Sequence, residues 1–221
     1  MYPSYAFSKN GLPTITRLNG STFNAQRSGL SAGDIRIVRE MYPGYSVVLT
    51  DLAASARWES GRLIDAHNAT SLTSLRLNVP PSDRTAGKVE IAENWLEDRT
   101  KQPILHMHPR WESRGTIKGW LPWVYLPTGA RFEAEVGFIY GATGTDGASF
   151  QVWEHHMQGG REVWNRVANV YKRYTGSLTR INVDLSHLAG QRVGIELRVD
   201  AGASAGQDWA AWVSPTIVAR Y

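Results

Sequence analysis

From about Tyr45 onward, apolar and polar residues alternate along the chain with a period of two. The stretch "RFEAEVGFIYGA" sets Phe132, Ala134, Val136, Phe138 and Tyr140 on one face and Arg131, Glu133 and Glu135 on the other. "LTRINVDLS" alternates through Ile181, Val183 and Leu185, and "QRVGIELRVDAG" through Val193, Ile195, Leu197 and Val199, with Glu196 and Arg198 facing outward. "ASFQVWEH" repeats the pattern with Phe150 and Val152. A period of two places successive side chains on opposite faces of a strand. The Gly-rich clusters "GATGTDGA", "MQGGRE", "LAGQ" and "DAGASAGQD" separate these runs as turns. Many short alternating strands without interleaved helices predict an antiparallel β-sandwich, of a length that suits a jelly-roll-like arrangement with long loops. "NVPPSDRTAGK" reads as one of those loops rather than as a linker between domains.

Residues 1–43 have a different texture. "GLSAGDIRIVREMYPG" offers Ser31 as a helix N-cap with Asp34 three positions on. Ile35, Val38 and Met41 or Tyr42 follow at helical spacing, and Pro43-Gly44 stops the helix. The predicted organisation is therefore a short N-terminal helical segment, 1–43, followed by a mainly β domain, 44–221.

Composition narrows the functions. The 221 residues carry a net charge of +4 without a Lys/Arg run, which argues against a nucleic-acid partner. There is no cysteine, so disulfides and thiolate metal sites are excluded. No apolar run approaches the roughly 18 residues of a membrane-spanning helix. Met1–Ile15 does not have the build of a signal peptide, so an exported product would carry its leader upstream of Met1.

The first 43 residues resemble the end of an astacin-family zinc metallopeptidase domain. "MYPSYAFS" is similar to that family's Met-turn from just after its methionine, which is itself missing here, and "GLSAGDIRIVREMYP" to its closing helix. The resemblance implies that Tyr2 is the Met-turn tyrosine, which serves the zinc site catalytically, and that Tyr5 and Phe7 form an aromatic packing pair. It also implies a secreted, bacterial parent enzyme that uses Zn for proteolysis. The chain itself lacks the His-Glu-x-x-His-x-x-Gly-x-x-His run that would hold zinc and supply a general base. The expectation is a C-terminal piece of such an enzyme, inactive by itself.

The β domain resembles, most strongly over "DLSHLAGQRVGIELRVDAGASAGQDWAAWVSPTIV", the non-catalytic jelly-roll modules of secreted bacterial hydrolases. That resemblance implies a carbohydrate-binding or galactose-binding-like sandwich, with Asp208, Trp209 and Trp212 in structural roles. Nine tryptophans fit such a module. Trp153 shares a strand face with Gln151 and His155, the pairing by which a sheet stacks on a sugar ring and hydrogen-bonds its hydroxyls. Trp111, Trp120 and Trp123 fall in a Pro-interrupted stretch predicted to form a rim. Asp146, Asp200 and Asp208 lie on Gly-rich turns, where carboxylates either seat Ca²⁺ or cap their own backbone. "HMHP" sets His106 and His108 on one strand face at a spacing open to Zn or Cu, without an evident third ligand. Glu133 and Glu135 read as a solvated charge pattern rather than a glycosidase pair. The leading expectation is a module that tethers to glycan, cell surface or extracellular protein substrate. A zinc metalloendopeptidase and a purely structural or adhesive domain are the alternatives.

Overall fold

A computed structural model of the chain describes residues 3–24, 34, 37, 44–65 and 67–219. The chain divides into two compact units, Met1–Pro43 with Tyr221, and Gly44–Arg220. In the first, residues 3–24 form turns and bends, tied at Ser4. The Ser4 amide donates to the Phe23 carbonyl, and the Ser4 hydroxyl accepts from the Phe23 amide. Tyr5 and Phe7 are exposed, Phe7 to 82%, so the expected aromatic packing pair is not buried. Asp34 and Ile37 are α-helical. Tyr2, Ser31 and the rest of the predicted closing helix lie outside the described residues.

The second unit is an antiparallel, jelly-roll-like β-sandwich. Its first sheet contains β1 (Tyr45–Val48), β4 (Lys88–Trp95), β5 (Lys101–His108), β8 (Ala130–Phe138), β11 (Thr179–Asp184) and β13 (Ala210–Ala219). They run in the order β11-β8-β13-β5-β4, with β1 also pairing β13. The second sheet contains β2 (Arg57–Leu63), β3 (Ala69–Leu75), β6 (Gly115–Trp120), β7 (Val124–Tyr125), β9 (Ala148–Gln158), β10 (Arg161–Lys172) and β12 (Arg192–Ala201). Their order is β10-β9-β12-β6-β2-β3, with β7 on β12. One helical turn, Leu49–Leu52, follows β1.

The alternation read from the sequence decides which side chains meet between the sheets. Phe132, Val136 and Phe138 of β8 and Trp212 of β13 face Phe150 and Val152 of β9 and Ile195 and Leu197 of β12, all buried. Phe150 meets Trp212 edge-on at 5.4 Å and Phe138 at 6.1 Å, geometries aromatic rings favour. "DWAAWVSPTIV" becomes β13, the strand most embedded in the first sheet, and Asp208 and Trp212 are fully buried.

A buried ion pair joins the β4–β5 turn to the β10–β11 connection. Glu97 accepts from Lys172 at 2.8 Å and from the amides of Phe138, Thr175 and Gly176. Both partners are nearly inaccessible, and this set of donors offsets the desolvation of the carboxylate.

Candidate functional site

On the second sheet, strand register brings polar and aromatic side chains into rows across the face that points away from the core. Arg166 on β10 pairs with Trp153 on β9, Trp153 with Glu196 on β12, Glu196 with Trp120 on β6, and Trp120 with Arg57 on β2. The next row reads Asn169, Gln151, Arg198, Lys118 and Glu59. A third places Asp200 beside Ser149 and Thr116. On the other side of the Trp153 row, Trp164, His155 and Gly194 align.

This outer face is far from a freely solvated one. Gln151, Trp153, His155, Glu196, Arg198 and Asp200 are all at most 6% exposed. Buried polar groups need partners, and here they form a chain. The Trp153 indole N–H donates to Gln151 Oε1 at 2.9 Å, the Gln151 amide donates to Asp200 Oδ2 at 2.5 Å, and Thr116 donates to Asp200 Oδ1 at 2.5 Å. Burial pushes the Asp200 carboxyl up to about 6, a shift the Thr116 hydrogen bond only partly offsets. Arg198 Nε donates to Glu196 at 2.8 Å. His67, from the β2–β3 loop, lies edge-on over Trp153 at 5.2 Å.

The predicted binding residues therefore separate. Trp153 sits on the expected face beside Gln151 and His155, but it is covered. The Arg198 and Arg166 guanidiniums lie 5.0 and 5.6 Å from its ring, and His67 closes its edge. It is a pillar of the face rather than an open stacking platform. Trp120 is half-buried, with Arg57 at 4.1 Å and Lys118 at 4.5 Å from its ring. Trp111 leaves the group altogether. It stacks at 4.0 Å on His108 of the first sheet and shares a shallow loop pocket of about 270 Å³ with residues 203–206.

Open aromatic surface appears at the other end of the face. Trp164, 39% exposed, stacks on His155 at 4.0 Å with planes 2° apart. Trp123 meets the same imidazole edge-on at 4.7 Å. Trp123 also lines a pocket of about 540 Å³ with Met157, Gln191 and Arg192. Two features hold His155 in place. Its Nδ1 hydrogen-bonds Glu162 at 2.5 Å, and its Nε2 is buried without a hydrogen-bond partner. Gly194 lies directly beneath, and a Cβ there would fall 1.8 Å from Nε2. Trp164 was not among the sequence candidates. The strand following "MQGGRE" alternates weakly, and only its pairing with β9 sets this indole against His155.

Two of the three candidate calcium ligands come together and one does not. Asp146 accepts from the amides of Ala203 and Ser204 through Oδ2, and its Oδ1 is buried without a partner. Asp208 accepts from the Thr145 hydroxyl through Oδ1, and its Oδ2 is likewise unpartnered. Burial pushes Asp208 up to about 7, and the nearby Asp146 charge adds to the rise. Asp200 belongs to the hydrogen-bonded chain on the outer face, not to this pair. Among the described residues no group of three His, Asp or Glu side chains is placed to hold a metal ion.

His106 and His108 do share the outer face of the first sheet. Their Nδ1 atoms are held by Glu90 at 3.0 Å and the Pro109 carbonyl at 2.6 Å, and both Nε2 atoms are buried without partners. Burial lowers His108 to about 4, leaving it neutral. Among the described residues no helix is long and apolar enough to cross a membrane.

No protein-family model matches the chain, and no curated protein matches it. Solved structures that resemble it include carbohydrate-binding modules. A CBM61 module in complex with β-1,4-galactotriose aligns at 14% identity over 63% of this chain and 85% of its own, with a TM-score of 0.41. A CBM51 module from Clostridium perfringens, in complex with methyl-galactose, aligns at 15% identity over 78% and 99%, with a TM-score of 0.41. The CBM22-2 xylan-binding domain from Paenibacillus barcinonensis aligns at 8% identity over 80% and 99%, also with a TM-score of 0.41.

Proposed function

We propose that the Gly44–Arg220 unit is a glycan-binding module whose site is the outer face of the second sheet. The observation that carries this reading is the Trp164–His155–Trp123 cluster. It combines a half-open indole face, an imidazole held beneath it by Glu162 and Gly194, and an adjoining pocket. Apolar ring faces with a few oriented polar groups are what a pyranose ring requires. Affinity electrophoresis and calorimetry against a panel of soluble polysaccharides test it. Trp164→Ala and Trp123→Ala each lower affinity at least about tenfold, the scale of a lost aromatic contact. Trp111→Ala, in the loop packed on His108 of the first sheet, leaves affinity unchanged. No binding to any glycan by the wild-type unit refutes the reading and favours an adhesive or structural role.

Ca²⁺ bound by Asp146 and Asp208 belongs to the same proposal, supported by their two buried, unpartnered oxygens on Gly-rich loops. A second reading concerns residues 1–43, proposed as the end of the catalytic domain of a secreted astacin-like peptidase. Asp34 and Ile37 are helical where the closing-helix motif places them, which supports it. The residues of this chain do not supply the zinc-binding motif. A genomic sequence without an in-frame zinc-binding helix upstream of Met1 would sink that parentage.

A further inference from the structure

The charges on the outer face of the second sheet are organised by the tryptophans. Arg57 and Lys118 flank the Trp120 ring, and Arg166 and Arg198 flank Trp153. These four cations share two adjacent cross-strand rows with only two carboxylates, Glu59 and Glu196. Glu196 is taken by Arg198 at 2.8 Å, and Glu59 lies 3.7 Å from Arg57. Among the described residues Arg166 and Lys118 form no ion pair. Asp200, in the third row, is sealed under Thr116 and Gln151.

Holding a cation over an indole has a chemical consequence. The ring quadrupole stabilises the charge without consuming its hydrogen-bond donors. A guanidinium laid near a ring keeps its in-plane N–H groups available, and those match a carboxylate or sulfate in a two-pronged contact. The same arrangement denies Trp153 and Trp120 as bare stacking surfaces for a neutral sugar. The row from Arg166 to Arg57 crosses five strands, about 19 Å at four strand spacings, which is the reach of a polymer rather than a single sugar. Arg166 and Arg57 are exposed and Lys118 half-buried, so all three are accessible to a ligand.

We propose that the glycan bound on this face is an anionic polysaccharide, whose acid groups engage Arg166, Lys118 and Arg57 while a sugar ring stacks on Trp164. The proposal rests on the glycan-binding reading and commits it to one class of ligand.

Affinity of the intact chain is measured for polygalacturonate and alginate, for carrageenan (a sulfated galactan without uronate), for neutral galactan and xylan, and for single-stranded RNA, each at low and high salt. Binding to one or more acidic polysaccharides is expected, falling at least about tenfold as salt rises and screens the contacts. A preference for the uronates or for the sulfated polymer supports the proposal and names the acid group. Arg166→Gln and Lys118→Gln each weaken binding about five- to tenfold, with melting temperature checked in parallel. The wild-type salt dependence stands even where a variant fails to fold. Binding to galactan or xylan alone, insensitive to salt, overturns the anionic ligand and leaves the glycan module intact. Equal binding of RNA overturns it in favour of a non-specific polyanion surface. Loss of all polysaccharide binding refutes both readings together.

Discussion

The outer faces of the two sheets come from the same alternating code, yet apart from the buried His106 and His108 on the first, their charged side chains differ in kind. On the first sheet, Glu133 faces Arg180 at 3.4 Å, Lys101 faces Glu93 at 3.0 Å, and Arg131 donates to Asn182 at 2.7 Å. Most of these side chains are well exposed, and such pairs contribute little to stability. On the second sheet, Glu196, Arg198, Asp200 and Gln151 occupy equivalent outward positions and are buried. Part of the difference comes from Trp153, which donates to Gln151 and lies 5.0 Å from the Arg198 guanidinium, and from His67 packed edge-on against it. Large aromatic side chains turned outward convert a wet face into a desolvated one, where charge interactions are stronger and unmade contacts cost more.

Removing the cover gives the largest effect. Trp153→Ala is expected to destabilise the sandwich by about 3–5 kcal/mol, the range for deleting a buried tryptophan, measured by urea unfolding. It also unties Gln151 from its indole donor. A loss below about 1 kcal/mol would mean that the ring is not part of the packed structure.

Matched carboxylate deletions come next. Glu196→Ala leaves the buried Arg198 guanidinium without this carboxylate and is expected to cost about 3 kcal/mol. Glu133→Ala on the first sheet is expected to cost less than about 1 kcal/mol. Equal costs would erase the contrast between the faces.

The pH dependence is smaller and has a definite sign. Native Asp208 holds its proton to about 7, while the unfolded chain releases it near 3.8. Between those values the native state binds more protons, so this group's contribution to stability falls as pH rises from about 4 to 7. Asp200 acts in the same direction up to about 6. At pH 8 without calcium, Asp208→Asn is expected to raise the melting temperature by about 3 °C. Millimolar Ca²⁺ raises it for the wild type and not for the variant. A wild-type melting temperature indifferent to Ca²⁺ removes the metal and keeps the pH effect.

Trp164→Ala is expected to cost less stability than Trp153→Ala by thermal melting, because its ring is 39% exposed, while glycan affinity falls at least about tenfold. A large stability loss instead would place Trp164 with Trp153 as a structural pillar.

The alternation of Phe132, Val136 and Phe138, of Phe150 and Val152, and of Ile195 and Leu197 determined the sandwich. One buried face per strand requires period two, and that requirement is local. The outward direction of Trp153, Gln151, Glu196 and Arg198 was legible for the same reason. Their burial was not, because it depends on which strands are neighbours. Only the order β10-β9-β12-β6-β2 sets Trp164 on His155 and lines Arg166, Trp153, Trp120 and Arg57 into one row. Tertiary structure likewise parted Asp200 from Asp146 and Asp208, and stacked the loop residue Trp111 on His108 of the first sheet. Sequence spacing specifies the face of a strand on which a side chain emerges, whereas long-range pairing specifies what stands beside it.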